Sequence, residues 1–291
     1  MLLGQATVPS TLERTAMQVH FLNCFTCNAR IPAHWQSGTL CLLVEGEDGL
    51  ILVDTGPGLD DYARKPWIIR SFQVATRVPL DPNEAAVRQV VRLGYEPANV
   101  KDIVLTHMHF DHCGGLPDFP HATVHVHETE FHSFNSFPRR WTDLAYVKRH
   151  ISHQPRIRLY REEGAEWYGF PAIRLPFSTE MWLIPLPGHS RGHCGLVLKL
   201  PDRWHFHMAD AAPLGMSEEV PAWLARLVLG PHTPRLRQFM LEHQEMLITT
   251  GHMPIEFFAQ EHEGLSRRPT IPAHQAPYQL ARADPSGRAV D

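Results

Sequence analysis

The segment THMHFDHCGG, residues 106–115, runs straight on from the apolar stretch DIVL, and no other feature constrains the fold as tightly. It sets four candidate metal ligands, His107, His109, Asp111 and His112, within six residues at the end of a buried strand. Side chains two apart in an extended segment share a face, so His107 and His109 can hold one ion. Asp111 and His112, in the turn that follows, then aim at a second. Gly114 and Gly115 let the backbone bend tightly enough to bring the ligands inward.

Three further candidates lie far downstream, each beside small residues at the end of an apolar run. His189 in LPGHSRGHCG follows MWLIPLP, Asp210 in HMAD follows WHFHMA, and His252 in TTGHMP follows MLITT. Strand ends and the loops beyond them are where α/β scaffolds build their sites. Any one of the three, taken alone, is an ordinary turn or cap residue. Joined to the first cluster, they make a seven-residue set. The chain has 20 histidines in 291 residues, so the spacing, and not the count, has to select them.

The rest of the pattern fits a scaffold able to converge such distant residues. MQVHFLN, TLCLLVE and LILVDTG predict an antiparallel meander, with a hairpin turn at Glu45–Gly49. Helical periodicity covers Leu59–Ala75, broken at Pro66, and PNEAAVRQVVRLG, where Pro82 sits near the start and Gly94 at the C-cap. ATVHVH predicts a strand, and ETEFHSFN and TDLAYVKRH predict helix. The second half repeats the strands in MWLIPLP, GLVLKL and WHFHMAD. It then turns helical in EEVPAWLARLVL, PRLRQFMLEHQEML and PIEFFAQEHEG. Strands grouped in each half, with helices between and after them, predict an α/β fold, a four-layer αββα sandwich of two packed sheets. Residues 1–263 form its single domain, and residues 264–291, rich in Pro, Ala and Arg without apolar periodicity, form a peripheral tail.

Charge and composition exclude several partners. The net charge is -4 and no block of five like charges exists, which argues against a nucleic-acid partner. No apolar run reaches the roughly 18 residues that would span a bilayer, and the first residues lack a basic segment ahead of an apolar one. Five scattered cysteines argue for a reducing compartment, and hence a cytoplasmic location. A small-molecule substrate remains, and the pattern fixes no oligomeric state.

The order of motifs, from Asp54 in VDTG through HxHxDH, PGHSRGH and a strand-ending Asp to a late GH, resembles the metallo-β-lactamase-fold hydrolases over about residues 17–262. The resemblance implies that His107, His109 and His189 bind one metal, that Asp111, His112 and His252 bind a second, and that Asp210 bridges them. Asp54 would organise ligands from behind, although a strand-ending turn residue accounts for it equally well. His193, four residues after His189, either supports a ligand or bonds within its loop. Two divalent ions are implied, zinc foremost, with Mn, Fe and Co suited to the same donors.

Within that superfamily the N-acyl homoserine lactone lactonases are most similar, through Phe110 in HxHFDHxGG, through PGHSRGH and in length. The implied reaction is opening of a lactone or cleavage of a carboxylic ester by a metal-bridging hydroxide, with Asp111 protonating the departing alkoxide and Asp210 setting the ions. Lactonases carry a Tyr three residues after the bridging Asp, where this chain has Pro213. Zinc β-lactamases that use a Cys ligand differ at Asp210, RNase Z-like nucleases need basic surfaces, and glyoxalase II-like thioesterases use a basic C-terminal region where this chain offers Arg267 and Arg268. Thioesterase and phosphodiesterase activities are the alternatives, followed by a mononuclear iron oxidoreductase using His107, His109, His189 and Asp210. Cys24, Cys27, Cys113 and Cys194 read as packing residues. Trp35, Phe110, Phe131, Phe134, Trp141 and Trp167 suit an acyl pocket and a packed core or lid equally.

Overall fold

In the computed structural model, which describes residues 17–29, 35–46, 49–77, 79–211 and 230–261, three strands open the fold. They are β1 (Val19–Ala29), β2 (Trp35–Gly46) and β3 (Gly49–Val53), paired antiparallel as a meander. Strands β4 (Val100–Val104), β5 (Thr123–His127) and β6 (Arg156–Tyr160) then add in parallel beyond β3. A small antiparallel pair follows, β7 (Glu166–Trp167) and β8 (Phe170–Pro171). The second sheet runs in the order β13 (Leu247–Thr249), β12 (Trp204–His207), β11 (Cys194–Lys199), β10 (Met181–Pro185), β9 (Ile173–Arg174). Strand β14 (His252–Pro254) leaves that sheet and returns to β2, with His252 opposite Thr39.

Period-two alternation explains the layering. On β2, Leu40, Leu42 and Val44 point between the sheets, where they meet Val53, Val104, Leu183, Leu196 and Leu198. Cys41 and Leu43 point the other way, into a core with Leu52, Val90, Ile103, Val124 and Phe134. The helices of that outer core include α3 (Ala86–Arg92) and α5 (Glu128–Asn135). Behind the second sheet, Leu236 and Phe239 of α6 (Thr233–Glu242) pack on Ile184, Val197 and Phe206. This is the four-layer αββα arrangement of the metallo-β-lactamase fold. Trp167 and Phe170 belong to this last core, so Trp167 lines no pocket at the ligand cluster.

Local breaks fall where the chemistry requires them. Pro66 separates α1 (Leu59–Arg64) from α2 (Trp67–Thr76), and Lys65 adopts the left-handed conformation at the junction with φ 48°. The segment TDLAYVKRH is not an α-helix: it forms two short 3-10 turns, Trp141–Ala145 and Lys148–Ile151. Asp143 is turned back to accept the N–H groups of Arg139 and Arg140, and Arg149 and His150 reach out to the buried Asp61. These long-range pairings win over the weak helical preference of the segment. Helix α6 stops at Glu242, short of the apolar residues Met246 and Leu247, which are drawn into β13 and the core behind the second sheet. The predicted helix EEVPAWLARLVL, Pro213, Arg267, Arg268 and the tail 264–291 lie outside the described residues. No helix among the described residues is long and apolar enough to cross a membrane.

Candidate metal centre

The seven candidate ligands, from four separate segments of the sequence, meet at one edge of the sandwich. His107 and His109 follow β4, and Asp111 and His112 sit on α4 (Phe110–Cys113), a single turn. His189 follows β10, Asp210 follows β12, and His252 opens β14. Backbone hydrogen bonds hold the two sheets in register here: Cys194 N–H donates to Thr106 O, Leu40 N–H to Gly251 O, and Gly251 N–H to Ala209 O.

Their ligand atoms fall into three overlapping groups, each with all its atoms within 4.8 Å of one another: His107, His109 and His189; His107, His112 and Asp210; Asp111, His112 and His252. His107 joins the first group to the second, His112 joins the second to the third, and Asp210 belongs to the middle one. Its Oδ2 lies 3.3 Å from His189 Nε2, 3.5 Å from both His112 Nε2 and His252 Nε2, and 3.9 Å from His107 Nε2. Asp111 Oδ2 lies 3.6 Å from His252 Nε2, and His109 Nδ1 lies 3.0 Å from His189 Nε2. The residue before Asp210, Ala209, has φ 46°, a left-handed conformation costing roughly 1 kcal/mol or more for a side-chain-bearing residue, which turns the chain to aim the carboxylate inward.

Protonation follows from burial and neighbours. Burial, then the nearby His112 and His189 respectively, hold His107 and His109 well below the usual imidazole range, so both are neutral and able to donate a lone pair. Burial opposes ionisation of Asp210, yet His252, His112 and His189 outweigh it and keep its carboxyl below the usual range. Burial also opposes charging of His112, but Asp210, Asp111 and Asp54 outweigh it and raise its basicity.

The residues present fit metal ions. The Nε2 atoms of His107 and His109 and the Oδ1 atom of Asp210 are buried with no hydrogen-bond partner, a costly arrangement unless something binds them. Every ion pair that Asp111 and Asp210 make among the described residues is to a histidine, and no described Lys or Arg pairs with either carboxylate. Imidazole with carboxylate is the donor set of divalent transition metals.

Behind the candidate ligands lies a layer of hydrogen bonds to them. Asp54, fully buried at φ 55°, accepts from the Thr106 N–H at 2.8 Å and hydroxyl at 2.7 Å, and its Oδ2 lies 2.8 Å from His112 Nδ1. His193 accepts from Asp210 N–H at Nε2, 3.0 Å away, and burial pushes it down to about 3, so it stays a neutral acceptor. Gly114 has φ -61°, so its lack of a side chain supplies room rather than a special turn. A Cβ there would lie 2.4 Å from Asp61 Oδ2 and 2.5 Å from Phe110 O. Cys113 and Cys194 are buried thiols bonded to backbone carbonyls, Cys24 and Cys27 are buried too, and none of the four is in a disulfide.

Several participants lie outside the set that the sequence analysis names. Glu130, Ser190 and Tyr146 form a hydrogen-bonded group beside His109, with the Tyr146 ring 5.1 Å from the His109 ring. Asp143 pairs with Arg191, which ties the 3-10 segment to the loop of His189. Phe110 is wholly buried against Phe25, and Phe134 is likewise buried. Trp141 is exposed, and the Trp35 side chain lies outside the described residues. Histidine burial alone is no guide to ligation. His205 and His207 are buried but share Thr249 Oγ1 at 2.8 and 3.0 Å. His125, lining a cavity of about 220 Å³ that none of the seven candidate ligands lines, is engaged by Asp102 and Tyr160.

The chain is similar to known proteins. The family model of the metallo-beta-lactamase superfamily matches residues 35–236. A probable metallo-hydrolase of Mycobacterium tuberculosis is 38% identical over 199 residues, covering 67% of this chain and 62% of that protein. The N-acyl homoserine lactonase AttM of Agrobacterium fabrum is 28% identical over 184 residues, 60% of this chain and 66% of the lactonase. The matches thus span a little under two thirds of these relatives' lengths. Among solved structures, an N-acyl homoserine lactone hydrolase with N-hexanoyl-L-homoserine at its catalytic metal centre superposes with a TM-score of 0.60 at 22% identity, over 86% of this chain and 97% of that one.

Proposed function

The chain belongs to the metallo-β-lactamase superfamily, and from that footing we propose that it is a two-metal hydrolase that opens lactones or cleaves carboxylic esters. The observation that carries the reading is Asp210 Oδ2, within 3.9 Å of imidazoles from both halves of the ligand set. His107, His109 and His189 hold one divalent ion, Asp111, His112 and His252 hold the other, and Asp210 faces both, with zinc the first candidate. Two such ions supply Lewis acidity and lower the pKa of water toward about 7, so no side chain has to act as the base.

The protein's own groups do the rest. Asp54 and His193 fix the rings and the carboxylate from behind, so that the lone pairs point into the site before substrate arrives. Asp111 Oδ2 faces His252, which leaves Oδ1 to carry a proton to the departing alkoxide. The choice of lactone or ester rests on the likeness to lactonases, on the Phe110-containing motif and on the lack of basic blocks for a phosphodiester backbone. The reading is tested by elemental analysis together with turnover of a lactone, a carboxylic ester, a glutathione thioester, bis-p-nitrophenyl phosphate and a β-lactam. Two ions with lactone or ester turnover are expected. Phosphodiester or thioester turnover without lactone or ester cleavage would overturn the substrate assignment.

A further inference from the structure

Glu130 has no exposed surface and accepts four hydrogen bonds. Its Oε1 accepts from the Met108 N–H at 2.9 Å and the Tyr146 hydroxyl at 3.0 Å. Its Oε2 accepts from the Ser190 hydroxyl at 2.7 Å and the Gly192 N–H at 3.0 Å. Met108 lies between His107 and His109, Ser190 directly follows His189, and Tyr146 packs its ring against His109. All four donors therefore frame one triad, His107, His109 and His189. None lies on α4, which carries Asp111 and His112, or on β14, which carries His252.

We infer that Glu130 is a positioning residue for that triad alone, joining the loop after β4 to the loop after β10 through one carboxylate. The inference rests on the two-ion reading above and adds a division of labour to it. A carboxylate suits the task because it offers two acceptor atoms, and each serves a different ligand loop. An amide in its place turns one acceptor into a donor. Tyr146 and Ser190 hydroxyls can rotate to accommodate that, but the Met108 and Gly192 N–H groups cannot, so Glu130→Gln breaks the link on one side. The close approach is built in at Gly192, where a Cβ would lie 2.1 Å from Glu130 N.

The test is zinc affinity of the full chain, measured against a chromophoric chelator in two backgrounds. His252→Ala leaves the triad as the remaining site, and there Glu130→Gln is expected to weaken zinc by about 10- to 100-fold. His189→Ala leaves the other half, and there the same change is expected to shift affinity by less than about threefold. Equal weakening in both backgrounds, or none in the first, overturns the inference. A merely structural role predicts equal losses, and melting of the metal-free proteins in chelator measures that contribution separately.

If His189→Ala and His252→Ala each abolish all zinc binding, the two-ion reading fails by itself. Glu130 is then judged in the otherwise unaltered chain, where unchanged affinity on Glu130→Gln overturns its role. Should Glu130→Gln fail to fold, Tyr146→Phe and Ser190→Ala each remove one donor and are expected to weaken zinc in the His252→Ala background only. Unaltered affinity in both variants also overturns the assignment.

Discussion

Asp54 Oδ2 lies 2.8 Å from His112 Nδ1, and neither side chain touches solvent. The contact fixes the His112 ring with Nδ1–H toward Asp54 and leaves Nε2 facing Asp210, 3.5 Å away. Asparagine tolerates the left-handed backbone that Asp54 adopts, so Asp54→Asn probes the carboxylate and not the turn. The variant should fold and bind metal about 10- to 100-fold more weakly. Asp210→Asn should cost more activity than Asp54→Asn, because it removes a group facing both halves of the set. Side-by-side kcat/KM values decide this, and an equal or larger loss at Asp54 contradicts the assignment.

His109→Ala should lower metal content and activity in step. His109 is 4% exposed, and its Nδ1 faces His189 at 3.0 Å, so alanine deletes a buried nitrogen donor from the set. Elemental analysis and turnover on one preparation provide the check. A variant that retains two ions and full turnover removes His109 from the ligand set.

Stripping the metal should lower the melting temperature. With free metal at a thousandfold its Kd, one bound ion stabilises by about 4 kcal/mol, which corresponds to roughly 10 °C in a chain of this size. Thermal melts with chelator and with zinc measure the difference. Coincident melts would mean that the buried imidazoles and carboxylates hold nothing.

A pH effect separate from the metal centre should come from Asp118. Burial pushes its carboxyl up to about 6, against the hydrogen bond it accepts from Leu59 N–H at 3.0 Å. A raised carboxylate means that the folded state holds a proton the unfolded state has lost. The contribution of Asp118 to stability is therefore greatest below the ordinary Asp value, falls as pH rises between about 4 and 6, and stays reduced above, by up to about 3 kcal/mol. Asp118→Asn keeps the acceptor for Leu59 and should flatten that part of the curve in urea titrations of metal-free protein. An unchanged slope would refute it.

That seven side chains converge was legible because four of them are neighbours in THMHFDHCGG and the other three each end an apolar run. Strands were readable from continuous apolar runs, as in CLLV of β2, but their ends were not, since β1 and β2 run beyond the stretches MQVHFLN and TLCLLVE. Glu130 was not readable. It looks like any acidic residue in the first turn of a helix, and only the loop of residues 189–192, brought over it by the second sheet, converts it into a hub. TDLAYVKRH was misread for a related reason: its apolar spacing suits a helix, while Asp143, Arg149 and His150 are claimed by partners elsewhere in the chain. Gly114 was legible as essential but not for its reason, since crowding by Asp61 is invisible in one dimension.

Strand β14 carries His252 back to β2, one of the earliest strands of the fold, after the second sheet has been laid down. During synthesis the ribosome releases THMHFDHCGG long before His252, so for that interval the cluster has only part of its candidate ligands. Because domains close as units once their last elements arrive, tight metal capture becomes a late event in biogenesis, timed by the return of β14. A nascent chain arrested before that strand should exchange zinc freely with its surroundings, and one released after it should retain the metal.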